Sequence, residues 1–375
     1  MIGRMVLVGA LLAAGSAAQA ARVSTSHYGA MKDGREVEQV TLVNDRGMTV
    51  RVINFGGIIT DIDVPDRKGK MANVVLGYGD WQGYDTRERK NFFGALIGRY
   101  AGRIANARFT VDGKEVHLQP NDGPNALHGG GNEGFESRLW GIRTFKEGRV
   151  VGAELSYLSP DGEQGFPGNL NVHVTYRLLP NNTLRLDYSA TTDAPTALNL
   201  TNHSYFNMAG AGSGSVAKQE LRLMASRYVV ADDRGVPTGA FAPVSGTPLD
   251  FTRLTPIGLH ADDKGPPMTP KGGYNHAWFL DSHDGQLAPA AILHDPASGR
   301  TLTVLTTEPS LQAYTGDYMD GQDLGAQGVY YHPRDGIAIE TQHLADAPNK
   351  PDFPSTILRP GETFHSTTVF HFSVR

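Results

Sequence analysis

The chain has 375 residues, 34 Lys+Arg against 39 Asp+Glu, a formal net charge of −5 and no cysteine. The mild acidity argues against nucleic acid, whose phosphates are met by clustered Lys and Arg. Without cysteine there are no disulfides, thiolate nucleophiles or cysteine-ligated metal centres. With 45 Gly and 22 Pro beside 39% apolar residues, the composition is that of a globular chain rich in turns.

In chain order, residues 1–20 read as a signal peptide. Arg4 supplies positive charge, residues 5–14 are apolar, and Ala18-Gln19-Ala20 has the small-x-small form of a signal-peptidase site. The apolar run is too short for a membrane span, which needs roughly 20 residues, and no later stretch could cross either. The expectation is an exported, periplasmic protein. No linker separates two compositions in the remainder, so residues 21–375 are expected to form a single domain.

Alternation of apolar and polar residues, the mark of half-buried strands, recurs through that remainder. Residues 48–53 are a strand candidate, and residues 92–104 the best stretch for a helical turn, although Gly94, Gly98 and Gly102 oppose a long helix. Residues 108–111 and 114–118 predict a hairpin, because Asp112-Gly113 tolerates the positive φ of a tight turn. Residues 140–145 with 150–158, and 170–178 with 184–191, predict two more. The most loop-like segment is 263–273, and 301–306, 336–340 and 367–374 are further strands. Consecutive hairpins imply antiparallel pairing, and so an all-β sandwich or barrel.

Two motif-level signals fail on context. Gly129 to Gly134 fits G-x-G-x-x-G, but no strand–loop–helix unit surrounds it, so a flexible loop is the better reading. The 13 histidines show neither H-E-x-x-H nor another recognisable ligand spacing, so no metal is expected. Three polar segments are more informative. Strand periodicity would put Asn199, Thr201, His203 and Tyr205 on one face, which is costly to bury without partners and so suits a wet cleft. In Ile337-Ala-Ile-Glu-Thr-Gln342, the isoleucines fall on one side and Ala338, Glu340 and Gln342 on the other. In Asn125-Ala-Leu-His-Gly-Gly130, the glycines after His128 permit close approach of backbone or ligand. His203 and Glu340 could be surface residues or a mutually satisfied buried pair. Gathered in one site, a carboxylate and imidazoles would suit general acid–base chemistry.

These segments resemble the aldose 1-epimerase (galactose mutarotase) family. The resemblance spans nearly the whole chain after residue 20, in order: Asn54-Phe-Gly-Gly-Ile-Ile59, Gly98-Arg-Tyr-Ala-Gly-Arg-Ile104, the His128 segment, Ser159-Pro-Asp-Gly-Glu-Gln-Gly-Phe-Pro-Gly168, Thr201-Asn-His-Ser-Tyr-Phe-Asn207, Thr307-Glu-Pro-Ser-Leu-Gln312 with Tyr314-Thr-Gly316, and Glu340-Thr-Gln-His343 through Leu358-Arg-Pro-Gly-Glu362. It implies a large antiparallel β-sandwich with an open sugar cleft, and interconversion of α and β anomers of a free monosaccharide without metal or cofactor. It further implies that Glu340 is the general base at the C1 hydroxyl and His203 the general acid at the ring oxygen. His128 would support that step, and Arg103 and Gln312 would bind hydroxyls.

Two positions depart from the family pattern. Asn275 stands in Gly273-Tyr274-Asn275-His276 where the family usually carries an aspartate that binds sugar hydroxyls, a change that bears on sugar preference or affinity. Gly102 stands where the family commonly has asparagine, and is expected to loosen the segment before Arg103. Three other readings carry distinct requirements. A non-catalytic sugar-binding module could share the sandwich. A hexose 6-phosphate epimerase would need an arginine cluster, and a glycoside hydrolase a second carboxylate beside Glu340.

Overall fold

The computed structural model describes residues 20–85, 91–131 and 133–375. The signal-peptide reading of residues 1–20 lies outside them, apart from Ala20, as does Asn132 of the glycine-rich loop.

Alternating sequence becomes antiparallel sheet. At the predicted hairpin, Arg108–Val111 pairs with Lys114–His117, and Asp112 and Gly113 both take positive φ, 50° and 73°. That geometry matches the right-handed twist of the flanking strands. The next two hairpins join Gly141–Glu147 to Val150–Ser159 and Leu170–Leu179 to Thr183–Thr192. They supply four strands of a nine-stranded sheet that continues through Phe364–Val374, Arg300–Thr306, Ala288–His294, Glu220–Leu223 and Thr255–Pro256.

A six-stranded sheet has the spatial order Tyr205–Phe206, Ile337–Gln342, Ser310–Tyr314, Asn275–Phe279, Arg227–Ala231, Pro237–Pro243. The strands from Arg22–Ala30 to Met71–Asn73 make a five-stranded meander. Among the described residues the sole α-helix is Trp81–Asp85, and no helix is long and apolar enough to cross a membrane. Residues 92–104 are not helical. Gly94 and Gly102 hold φ of 67° and 79°, and the short strands Leu96–Ile97 and Arg103–Ile104 lie between the turns.

The sheets share one core. Trp278, Leu311, Ala313, Ile337 and Ile339 of the six-stranded sheet pack with Leu184, Leu186, Val304 and Phe370 of the nine-stranded sheet, and with Val40, Val50 and Val52 of the meander. Each such aliphatic side chain contributes roughly 1.5–3 kcal/mol by leaving water. Anchoring alternate residues inward fixes what faces outward, since successive strand side chains point to opposite faces. With Ile337, Ile339, Leu311 and Ala313 in the core, Glu340, Gln342, Gln312 and Tyr314 are committed to the other face. Register then sets Gln312 opposite Glu340, and Asn275 opposite Tyr314.

Candidate active site

On that outer face lies an open cleft. Glu340, His203, His128, Arg103, Asn275 and Gln312 all line it, so the six residues singled out in the sequence meet in one place.

His203 arrives by a different route from the one expected. Residues 199–207 are not one strand: Thr201–Asn202 pairs with Leu96–Ile97, Tyr205–Phe206 pairs with the Glu340 strand, and the chain bends between them. The bend breaks the period of two. Only His203 and Tyr205 of the four polar residues line the cleft. Asn199 is instead a buried brace, its Nδ2 donating to the carbonyls of Ala101 and His343 and its Oδ1 accepting from the His343 N–H. The turn at 92–95 clamps His203 on both sides. Gly94 N–H donates to the His203 carbonyl at 3.0 Å, and His203 N–H donates to the Ala95 carbonyl at 2.8 Å. A side chain at Gly94 would meet the Ile59 carbonyl oxygen at 2.1 Å, so this clamp requires glycine.

His128 sits at φ 51°, between its own N–H donating to the Gly102 carbonyl and the Gly102 N–H donating to its Nδ1 at 3.2 Å. With Nδ1 accepting, the neutral ring carries its proton on Nε2. Gly102 therefore does not loosen its segment. It is held by this pair of bonds, with Ala345 packed where a side chain would go, 2.8 Å from an added Cβ. Arg103 follows directly. Its Nε donates to Asp122 at 2.7 Å and its carbonyl accepts from the Asp346 N–H at 2.8 Å. Asp346 lies just beyond the Glu340 strand, which explains how two distant segments reach the same cleft. Across the floor, Gln312 Nε2 donates to Asn275 Oδ1 at 2.6 Å.

The electrostatics centre on Glu340 and His203, which are 2% and 3% exposed. His203 Nε2 lies 3.5 Å from Glu340 Oε1, while His203 Nδ1 and Glu340 Oε2 have no hydrogen-bond partner. Burial pushes the Glu340 carboxyl up to about 8, opposed in part by the positive charge of Arg103. Burial also pushes His203 down to about 4. Both shifts disfavour charge, as desolvation does, and between those limits the pair holds one proton. His128, His203 and Glu340 are also the one group of three possible cation ligands among the described residues, with ligand atoms within 4.8 Å of one another.

Phe92 also lines the cleft, with no signal of that role in the sequence. It sits at φ 56°, unusual for an aromatic residue, with its ring centroid 4.8 Å from that of His128 and 5.7 Å from that of His203. It walls both imidazoles from one side of the cleft. Nothing in residues 92–104 read as sequence marks that role, because it depends on bringing Phe92 beside His128 and His203, which are distant in the chain. Asp122, which orients Arg103, was equally silent.

The profile of the aldose 1-epimerase family matches residues 38–371. Galactose mutarotase from Rattus norvegicus is 42% identical over 91% of this chain and 95% of its own. Aldose 1-epimerase from Escherichia coli (strain K12) is 38% identical over 91% of this chain and 96% of its own. Among solved structures, galactose 1-epimerase from Lactobacillus acidophilus NCFM matches with a TM-score of 0.83 at 28% identity, over 95% of this chain and 99% of its own. An aldose epimerase homologue from C. elegans matches with a TM-score of 0.79 at 30% identity, over 88% and 97%.

Proposed function

The chain belongs to the aldose 1-epimerase family and interconverts sugar anomers; from that premise we propose that Glu340 and His203 carry the proton transfers that open and reclose the ring of a free aldohexose. Glu340 as carboxylate takes the proton of the C1 hydroxyl. His203 as imidazolium delivers a proton to the ring oxygen while the bond from C1 to that oxygen breaks. Rotation about C1–C2 in the open aldehyde presents the other carbonyl face. Closure then runs the transfers backwards, with protonated Glu340 the donor and neutral His203 the acceptor.

The observation that carries this reading is the buried carboxyl–imidazole pair at 3.5 Å on the cleft floor, where burial disfavours charge on both groups. Opening converts the charged arrangement into the neutral one, and closure converts it back. Each is therefore the starting state for one direction, and neither direction draws a proton from water. A positioned acid and base each contribute about 10²–10⁴-fold.

The Nε2–H of His128 supports the developing charge at the ring oxygen. Arg103, Asn275 and Gln312 bind hydroxyls. Arg103 is the one guanidinium among the described lining residues of this cleft, and it is already paired with Asp122. That favours an uncharged sugar over a sugar phosphate, whose dianion would call for several cationic donors.

Polarimetry of freshly dissolved α-D-glucose and α-D-galactose tests the assignment. Wild type should speed the decay to the equilibrium rotation, and Glu340→Gln should lose about 10²–10⁴-fold in kcat. A near-normal rate for Glu340→Gln would remove Glu340 from the base role. The signal-peptide pattern of residues 1–20 supports export to the periplasm. A mature protein beginning at Ala21 would agree, and one beginning at Met1 would contradict it.

A further inference from the structure

Gln342 has no part in the proton transfers, yet it stands on the cleft floor two residues beyond Glu340 and on the same strand face. It is 3% exposed, and its side-chain Oε1 has no hydrogen-bond partner. Its backbone, by contrast, is fixed: Gln342 lies in register with Ser310, whose hydroxyl donates to the Gln342 carbonyl at 2.5 Å. A buried amide oxygen without a donor is a standing free-energy cost, which an apolar residue of the same shape would not carry.

No donor of the protein meets it, and the hydrogen bonds found along this cleft run between other groups. Arg103 Nε donates to Asp122, the Gly102 N–H to His128 Nδ1, and Gln312 Nε2 to Asn275 Oδ1. Gln342 nonetheless contributes to the lining of the cleft, beside Gly102. A Cβ at Gly102 would lie 3.6 Å from Gln342 Nε2, within van der Waals contact of the amide. With no protein donor on it and the residue lining the cleft, the donor left to satisfy this oxygen is a hydroxyl of the cleft's occupant.

We propose that Gln342 is a sugar-binding residue whose side-chain carbonyl accepts one hydroxyl of the bound aldose, at a carbon other than C1. This rests on the aldose 1-epimerase reading. Two residues along a strand span about 6.6–6.8 Å. With Glu340 at the C1 hydroxyl, Gln342 addresses a hydroxyl farther along the same pyranose. The bond is present before and after ring opening, so it contributes to binding equally in ground and transition states and belongs in KM, not kcat.

The test is a cycle between protein and sugar. Polarimetric KM and kcat would be measured for wild type, Gln342→Met and Gln342→Leu with D-glucose and its 2-, 3-, 4- and 6-deoxy forms. Thermal melts would verify that both variants fold. With glucose, each variant should raise KM about tenfold and leave kcat within about threefold. With one of the four deoxy sugars, wild type and variants should share the same KM, because the partner hydroxyl is gone. An unchanged KM with glucose would overturn the proposal, as would an equal loss with all four deoxy sugars. Failure of wild type to accelerate any of these sugars would instead fall on the activity reading, and on the proposal with it.

Discussion

Two glutamate–histidine pairs lie close together in this fold, and they are electrostatic opposites. Glu340 and His343 are three residues apart in sequence, yet Glu340 faces His203 at 3.5 Å while His343 holds Glu308 at 2.5 Å. Burial would lower the His343 pKa, but the charge and hydrogen bond of Glu308 outweigh it and raise the value above that of an ordinary imidazole. That pair is an ion pair, braced further by Asn199 on the His343 backbone. In the other, desolvation is the dominant influence on both partners, and one atom of each has no hydrogen bond at all. Hydrogen bonding and burial together decide the outcome: the direct bond to Glu308 outweighs desolvation of the less buried His343, and no such bond opposes desolvation of Glu340 and His203. One arrangement holds the strand end in place, and the other stores a movable proton.

The largest expected effect separates the two pairs outright. Glu340→Gln and His203→Asn should each cost about 10²–10⁴-fold in kcat, whereas Glu308→Gln should leave kcat of the folded enzyme within a few-fold. Polarimetry of all three variants at one pH checks this, and a large kcat loss in Glu308→Gln would erase the distinction.

Stability should divide the other way. Glu308→Gln removes a charge-assisted bond worth about 1.5–3 kcal/mol, read from denaturant melts. Because the His343 pKa is raised in the fold, that stabilisation is fully present below the ordinary histidine pKa and is lost as pH rises through the raised one. The penalty should therefore shrink towards alkaline pH. For Glu340, whose pKa rises from 4.5 to about 8 on folding, wild-type stability is lost as pH climbs between those values. Glu340→Gln should accordingly gain in melting temperature relative to wild type over that interval. A melting temperature below wild type at pH 8 would contradict the assignment of a buried, unsatisfied carboxyl.

Smaller effects concern the walls. Phe92→Ala admits water beside His203 and should move the acid limb of activity upward, towards the ordinary histidine value, as desolvation is relieved. An unmoved limb would reduce Phe92 to a packing residue. Asn275→Asp should change KM for glucose and galactose unequally, by a few-fold, with kcat nearly unchanged; identical kinetics with both sugars would place Asn275 outside the sugar site.

Much of the fold was legible because its signals are local. Asp112-Gly113 dictates its own turn, and the isoleucines of 337–342 declare which face is buried and so which way Glu340 points. The gathering of His128, His203 and Glu340 was not legible from spacing, since it depends on register between strands far apart in sequence. It entered through family resemblance. Where local period was trusted too far, at 199–207, a bend between two short bridges withdrew Asn199 and Thr201 from the cleft. Gly102 misled in another way: glycine there reflects the packing of Ala345 and the bond to His128, and neither leaves a trace in the neighbouring residues. Nor could the sequence distinguish Glu308–His343 from Glu340–His203, since the difference lies in burial and hydrogen bonding set by the tertiary fold.

The pH dependence of kcat/KM for wild type with α-D-glucose tests the shared proton most directly, because it reports the ionisations of the free enzyme. The profile should rise to a plateau as the second proton leaves His203 near pH 4 and fall as the last leaves Glu340 near pH 8. A profile limited by ordinary values, with an acid limb near the usual glutamate pKa of 4.5 and an alkaline limb near the histidine value of 6.5, would contradict it.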